Sequence, residues 1–293
     1  MISKNEINKI ALEKQVKTSI IDKDWVLGHF VDAIFSIPEC HKDLVFKGGT
    51  CLKKCRFPDY RFSEDLDFTS TNKYFIFDLS LLEKIIALAT NRTGLLLNIQ
   101  SLDNLYFNHQ LTGYSAKIRY WGADHRKSQQ PPEPQRWLTN IKIEIILYEK
   151  MYFEAEKATV FHQYSDNLTE NVENIPIYSI NEMLSEKLRA LIQRSYSAPR
   201  DYYDIWYLSK NIENINWNTI IEAFLVKASF KNLVFSGIEQ FINPDNDKIL
   251  QAAWKNSLGH QVETNKLPDY YTVRKDLFIL FSKIFQNYKS EQQ

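Results

Sequence analysis

Apolar residues recur at helical spacing in two early stretches, residues 5–18 and 22–36, and the pattern predicts two amphipathic helices. In the second, Trp25, Val26, Phe30, Val31 and Ile34 share one face, with Asp22 placed to cap its start and Pro38 to stop it. The period then shortens. Leu44, Val45 and Phe46 read as a short strand, Gly48-Gly49 turns the chain, and Thr50 to Lys54 open another helix. Residues 65–69 run Asp, Leu, Asp, Phe, Thr, the alternation of a strand. Residues 76–91 return to helical spacing through Leu79, Leu82, Ile85, Ile86 and Leu88. Residues 94–100, 104–109, 113–121 and 138–148 read as strands of an antiparallel region, with the polar, proline-rich loop GADHRKSQQPPEPQ before the last. Beyond residue 178 the spacing is helical to the end, with candidates at 180–195, 200–210, 216–229, 246–256 and 269–287. The expected organisation is α+β: an α/β domain with N-terminal helices over 1–175, then a helical domain over 176–293 that shares its cleft.

Composition narrows this picture only modestly. The chain's 293 residues fit one large domain or two medium ones, and 36 basic residues balance 36 acidic ones, so net charge does not point to a polyanionic partner. No apolar run approaches the roughly 18–20 residues needed to cross a bilayer. The N-terminus lacks the apolar core of a signal peptide, and a cytoplasmic location is the expectation. Cys40, Cys51 and Cys55 are too few for a disulfide framework, and although Cys51 and Cys55 have helical i, i+4 spacing, nothing completes a zinc site around them.

Candidate chemistry concentrates in residues 44–69. Asp65 and Asp67 lie two apart on a strand, so both point to one face about 7 Å apart along the chain. At a separation of about 5 Å and an effective dielectric of ~20, their carboxylates repel by roughly 3 kcal/mol, a penalty that a divalent cation reverses. Oxygen-only ligands favour Mg²⁺ or Mn²⁺. Upstream, Gly48-Gly49-Thr50 brings backbone N–H groups close to an anion, with a threonine hydroxyl beside them. Glu144, mid-strand in an apolar run, is the candidate third carboxylate; a solvent-facing strand residue is the plainer reading. A second cluster pairs Lys187, on the face of Leu184, Leu188 and Leu191, with Asp201 and Asp204 at i, i+3 on the next helix. It serves either as a cation for an anionic substrate or as a structural network that also draws on Arg189.

These segments together resemble the AbiEii/MenT family of nucleotidyltransferase toxins, relatives of the DNA polymerase β-type superfamily. The resemblance covers roughly residues 20–210 and rests on IIDKDWVLGHFVDAIF with Lys23-Asp24-Trp25, LVFKGGTCLKK, YRFSEDLDFT, the E-K-x-x-A-L run at Glu186–Leu191 and R-D-x-x-D at Arg200–Asp204. It implies a polymerase β-type core with a mixed or antiparallel sheet, followed by a helical part. It implies transfer of NMP from an NTP to an acceptor hydroxyl, with Mg²⁺ or Mn²⁺, in a toxin paired with an antitoxin. By position, Gly48, Gly49 and Thr50 would hold phosphate, with Arg61 near it and Ser63 supporting the loop. Asp65 and Asp67 would hold metal, Lys187 would meet the triphosphate, and Asp201 or Asp204 would be the further acid. An RNA acceptor, a tRNA 3′ end, is the first expectation, with Lys53, Lys54, Arg56, Lys117, Arg119, Arg126, Lys127 and Arg136 as candidate contacts. Tyr202, Tyr203 and Trp206 are candidate base-stacking residues, though core packing suits that spacing better. Transfer to a protein or small-molecule hydroxyl, and a non-catalytic nucleotide- or antitoxin-binding module, remain as alternatives.

Overall fold

The computed structural model describes residues 1–125, 128–194 and 198–286, which divide into two compact units. The first comprises residues 1–149 and 155–177; the second comprises 150–154 and the chain from 178 onward.

The first unit is built on a seven-stranded sheet. Its strands are β1 (Leu44–Lys47), β2 (Asp65–Ser70), β3 (Leu96–Phe107), β4 (Gln110–Trp121), β5 (Asn140–Ile146), β6 (Glu156–Ala158) and β7 (Ile175–Ile177), in the order β3-β4-β5-β2-β1-β7-β6. β2 runs parallel to β5 and β1 parallel to β7, while the other pairs are antiparallel, so the sheet is mixed. Alternation sorts the faces. Leu66, Phe68, Ile141, Ile143 and Ile145 are buried, whereas Asp65, Asp67, Lys142 and Glu144 lie half-buried between them.

Helices α1 (Lys4–Lys14), α2 (Thr18–Phe35), α3 (Pro38–Asp43) and α5 (Leu79–Thr93) belong to this unit, with the short α4 (Gly48–Cys51) running into a π-helical turn, Leu52–Arg56. α2 is enclosed on nearly every side rather than amphipathic, and Trp25, Phe30 and Phe35 are among its buried residues. It starts at Thr18, so Asp22 does not cap it; the Asp22 carboxylate is buried and accepts the Ala123 N–H at 2.7 Å. Burying acids in such a helix requires partners. Asp24 pairs with Lys54 at 2.6 Å and accepts the Tyr164 hydroxyl at 2.7 Å, while Asp32 meets Arg92 at 3.0 Å and the Thr169 N–H at 2.9 Å. Pro38 opens α3 rather than ending α2, which stops at Phe35; a proline at the first helical position sacrifices no hydrogen bond.

The two strands expected at 94–100 and 104–109 are replaced by one, β3 over Leu96–Phe107, with register shifts at Ile99/Ser101 and Leu105/Tyr106. Asn108 and His109 join β3 to β4 with φ of 48° and 64°, the left-handed pair of a tight hairpin.

The second unit contains α6 (Ile180–Gln193), α7 (Pro199–Asn211), α8 (Trp217–Phe230), α9 (Pro244–Leu258) and α10 (Tyr270–Ile284). Residues 195 and 287, the expected ends of two of these helices, lie outside the described residues. Phe224, Phe241 and Phe281 are fully buried, and Phe241 stands 4.9 Å from Phe281 between ring centres. An ion pair without solvent exposure, Lys227 to Glu182 at 2.6 Å, joins α8 to α6. The same two side chains bind the strap at 150–154: Lys227 donates to the Lys150 carbonyl at 2.7 Å, and Glu182 accepts the Tyr152 and Phe153 N–H groups.

Candidate functional site

The register of three strands assembles the first cluster. Asp67 lies opposite Glu144 on β5 and Lys47 on β1, and Asp65 lies opposite Lys142. In-register neighbours present side chains to the same face, so three carboxylates and two ammonium groups converge there. Lys142 forms an ion pair with Glu144. Burial works against the Lys142 ammonium, but Glu144, Asp65 and Asp67 together raise its pKa. Asp67 is pushed up to about 6 by burial and by the charges of Asp65 and Glu144, even with Lys47 and Lys142 opposing them. Burial is the larger cause and the neighbouring acids add to it, so a cation at this face would offset both.

The diglycine turn lies against that carboxylate. Gly48 has φ of 80°, and a Cβ placed there would stand 2.4 Å from Asp67 Oδ2. Both the backbone conformation and this close approach require glycine. A Cβ on Gly49 would stand 2.9 Å from Arg61 Nη2 and 3.0 Å from Ser63 Oγ, which places Arg61 and Ser63 at the same turn. Thr50 is buried, and its hydroxyl donates to the Asp65 carbonyl, fastening the turn to β2.

Lys187, Asp201 and Asp204 form a cluster within the second unit. The Lys187 ammonium contacts Asp204 and lies 3.3 Å from Asp201, while Arg194 meets Asp201 at 2.5 Å. Arg189 approaches Glu186 at 3.8 Å and contacts Gln193. Tyr202 and Tyr203 are buried, Tyr202 donates to the Phe241 carbonyl, and Trp206 donates to Asp276 at 2.9 Å. These aromatics are packing residues.

Several of the expected RNA contacts are internal. Lys53 and Lys54 are buried, the former donating to the Pro58 carbonyl and lying 4.4 Å from the centre of the Phe62 ring, the latter paired with Asp24. Arg56 is paired with Glu156. Lys117 and Arg136 are exposed, Arg119 is half-buried, and Arg126 and Lys127 lie outside the described residues. Sequence reasoning gave no site role to Lys47 or Lys142. The two-residue spacing of Lys142 and Glu144 hinted that they share a face, but only the strand register shows that this face is that of the aspartates.

The family model described as "Nucleotidyl transferase AbiEii toxin, Type IV TA system" matches residues 29–276. The chain belongs to the AbiEii nucleotidyltransferase toxin family. Membership makes the protein a nucleotidyltransferase of a toxin–antitoxin system, with a nucleotide substrate and an antitoxin partner. Solved structures agree in fold with this AbiEii protein. MenT4, a nucleotidyltransferase toxin of Mycobacterium tuberculosis H37Rv, aligns over 99% of this chain and 100% of its own, with TM-score 0.57 and 16% identity. JHP933 of Helicobacter pylori covers 93% and 94%, with TM-score 0.51 and 19% identity. A further H. pylori protein described as a nucleotidyltransferase covers 89% and 92%, with TM-score 0.52 and 17% identity. No curated protein sequence matches the chain. None of the helices among the described residues is long and apolar enough to cross a membrane.

Proposed function

We propose that this AbiEii protein transfers NMP from an NTP to an RNA hydroxyl, with a tRNA 3′ end as the acceptor, and that the face carrying Asp65, Asp67 and Glu144 is its metal and nucleotide site. The observation that supports this reading most is the contact of the Gly48 backbone with the Asp67 carboxylate, because it sets an anion-compatible turn beside a cation-seeking cluster. The oxygen donor set suits Mg²⁺ or Mn²⁺. A divalent ion held by Asp65, Asp67 and Glu144 would neutralise triphosphate charge and make the acceptor hydroxyl more acidic.

The chain's own groups do the remaining work. The absence of side chains at Gly48 and Gly49 lets phosphate approach the backbone, and Arg61 offers a guanidinium beside Gly49. Thr50 holds the turn against β2. The acceptor oxygen attacks the α-phosphorus in line and gives up its proton to solvent, the bond to the bridging oxygen breaks, and pyrophosphate departs with its electrons. Lys142 lies where it can balance charge at the acids before substrate arrives. Lys187, Asp201 and Asp204 are proposed as a second functional group of residues, with Lys187 as a triphosphate contact.

Purified protein incubated with each labelled NTP, Mg²⁺ and total tRNA should label RNA. Asp65→Ala and Asp67→Ala should each abolish the label. Label on protein instead would transfer the proposal to a protein hydroxyl, and full activity in either variant would remove the site assignment.

A further inference from the structure

A second ligand set lies elsewhere in the first unit. His29 projects from α2, and His162 and Asp166 come from the loop after β6. His29 Nε2 lies 3.0 Å from Asp166 Oδ2, and His162 Nε2 lies 2.8 Å from Asp166 Oδ1. One ligand atom from each residue falls within 4.8 Å of the other two. We propose that His29, His162 and Asp166 bind one zinc-class divalent cation, at a site distinct from the aspartate pair of β2.

Four observations support this. Zinc bonds of ~2.0–2.1 Å in a tetrahedron place ligand atoms roughly 3.3 Å apart, so the two nitrogen–oxygen separations need to open by only a few tenths of an ångström. The imidazoles are 2% and 8% exposed, but the Asp166 side chain is 26% exposed, so the cluster has a dry back and a side open to water for a further ligand. Trp25 Nε1 donates to both Asp166 oxygens, at 3.1 and 3.0 Å, holding the carboxylate in the way that outer hydrogen bonds hold a ligating carboxylate. Both Nδ1 atoms are buried and make no hydrogen bond, so either ring can shift its proton to Nδ1 and free the Nε2 lone pair without breaking a bond at Nδ1.

Donor chemistry separates the two sites. Imidazole with one carboxylate selects zinc and its transition-metal neighbours, whereas the oxygen-only face of β2 and β5 suits magnesium. A cation here would staple the loop at 159–169 to the middle of α2. Without it, one carboxylate receives N–H donors from all three rings, which already places the three residues in register for an ion.

The test uses the full chain, stripped with a chelator, equilibrated with zinc chloride and freed of excess by gel filtration. Mass spectrometry should count one zinc per chain, and in Asp65→Asn/Asp67→Asn, which lacks the proposed magnesium ligands, zinc should raise the melting temperature where magnesium does not. His162→Ala should lose the metal, and Asp65→Asn/Asp67→Asn should retain it. Cobalt in place of zinc should give visible bands without a thiolate charge-transfer band, a readout that stands if His162→Ala does not fold. No bound zinc in the wild type, zinc retained by folded His162→Ala, or a thiolate band implicating Cys51 and Cys55 would each overturn the assignment.

Discussion

Around Asp67 three carboxylates converge, and the two lysines near them do not bring its pKa back to an ordinary carboxylate value. Around Asp204, in the other unit, acids and bases match: Lys187 contacts Asp201 and Asp204, and Arg194 contacts Asp201. The first arrangement carries a cost of burying acids beside one another that a cation would offset, and the second pairs its acids with bases. Removing charge should therefore have opposite consequences for stability in the two places, which separates a site built for a ligand from one that also holds its unit together.

Three changes test this contrast, from the largest expected effect to the smallest. Asp67→Asn keeps the shape and removes one charge. Nucleotidyl transfer should fall by roughly a thousandfold or more, while metal-free protein at pH 8 should melt no lower than the wild type. A drop of many degrees in that melt would show Asp67 to be a structural residue. Lys187→Met takes the cation from two acids, one of them fully buried, and should lower stability by roughly 3–5 kcal/mol in denaturant unfolding. An unchanged unfolding midpoint would place Lys187 outside the fold's support and leave it a purely functional cation.

The smallest effect concerns Asp22, pushed up from 3.8 to about 7 by burial, with the Asp124 charge adding to it. Its folded-state value exceeds its unfolded one, so the ionised form weakens the fold. That penalty is absent below about pH 4, grows as pH rises to about 7 and is constant above. Asp22→Asn removes the charge and leaves an oxygen for the Ala123 N–H. The variant should melt a few degrees above the wild type at pH 8, the gap closing as pH falls to about 4. A gap independent of pH would mean that Asp22 titrates in the fold as it does in the unfolded chain.

Much of this was legible in the chain, and the misses have physical reasons. The five C-terminal helices follow from strong apolar spacing punctuated by proline and by caps such as Ser179 and Asp269, whose side chains accept the N–H groups of Glu182 and Thr272. The aspartate pair stood out because alternation alone puts Asp65 and Asp67 on one face. Long-range pairing was not legible: nothing local says that β5 runs parallel to β2 in a register that sets Glu144 beside Asp67. β6 and β7 are three residues each, too short for a periodic signal. Lys53 and Lys54 looked like a surface patch because their buried partners, Asp24 and the Pro58 carbonyl, lie on other segments. The cap expected at Asp22 failed for the same reason: the fold buries the α2 acids and supplies Lys54, Arg92 and the Ala123 N–H from distant segments.

The measurement that bears most directly on the account is binding of Mn²⁺ with a non-hydrolysable NTP, followed by electron paramagnetic resonance. Wild-type protein should bind the pair, and Asp65→Asn/Asp67→Asn should lose it while remaining folded. Equal binding by both proteins would contradict the claim that the β2 aspartates face a common cation and nucleotide.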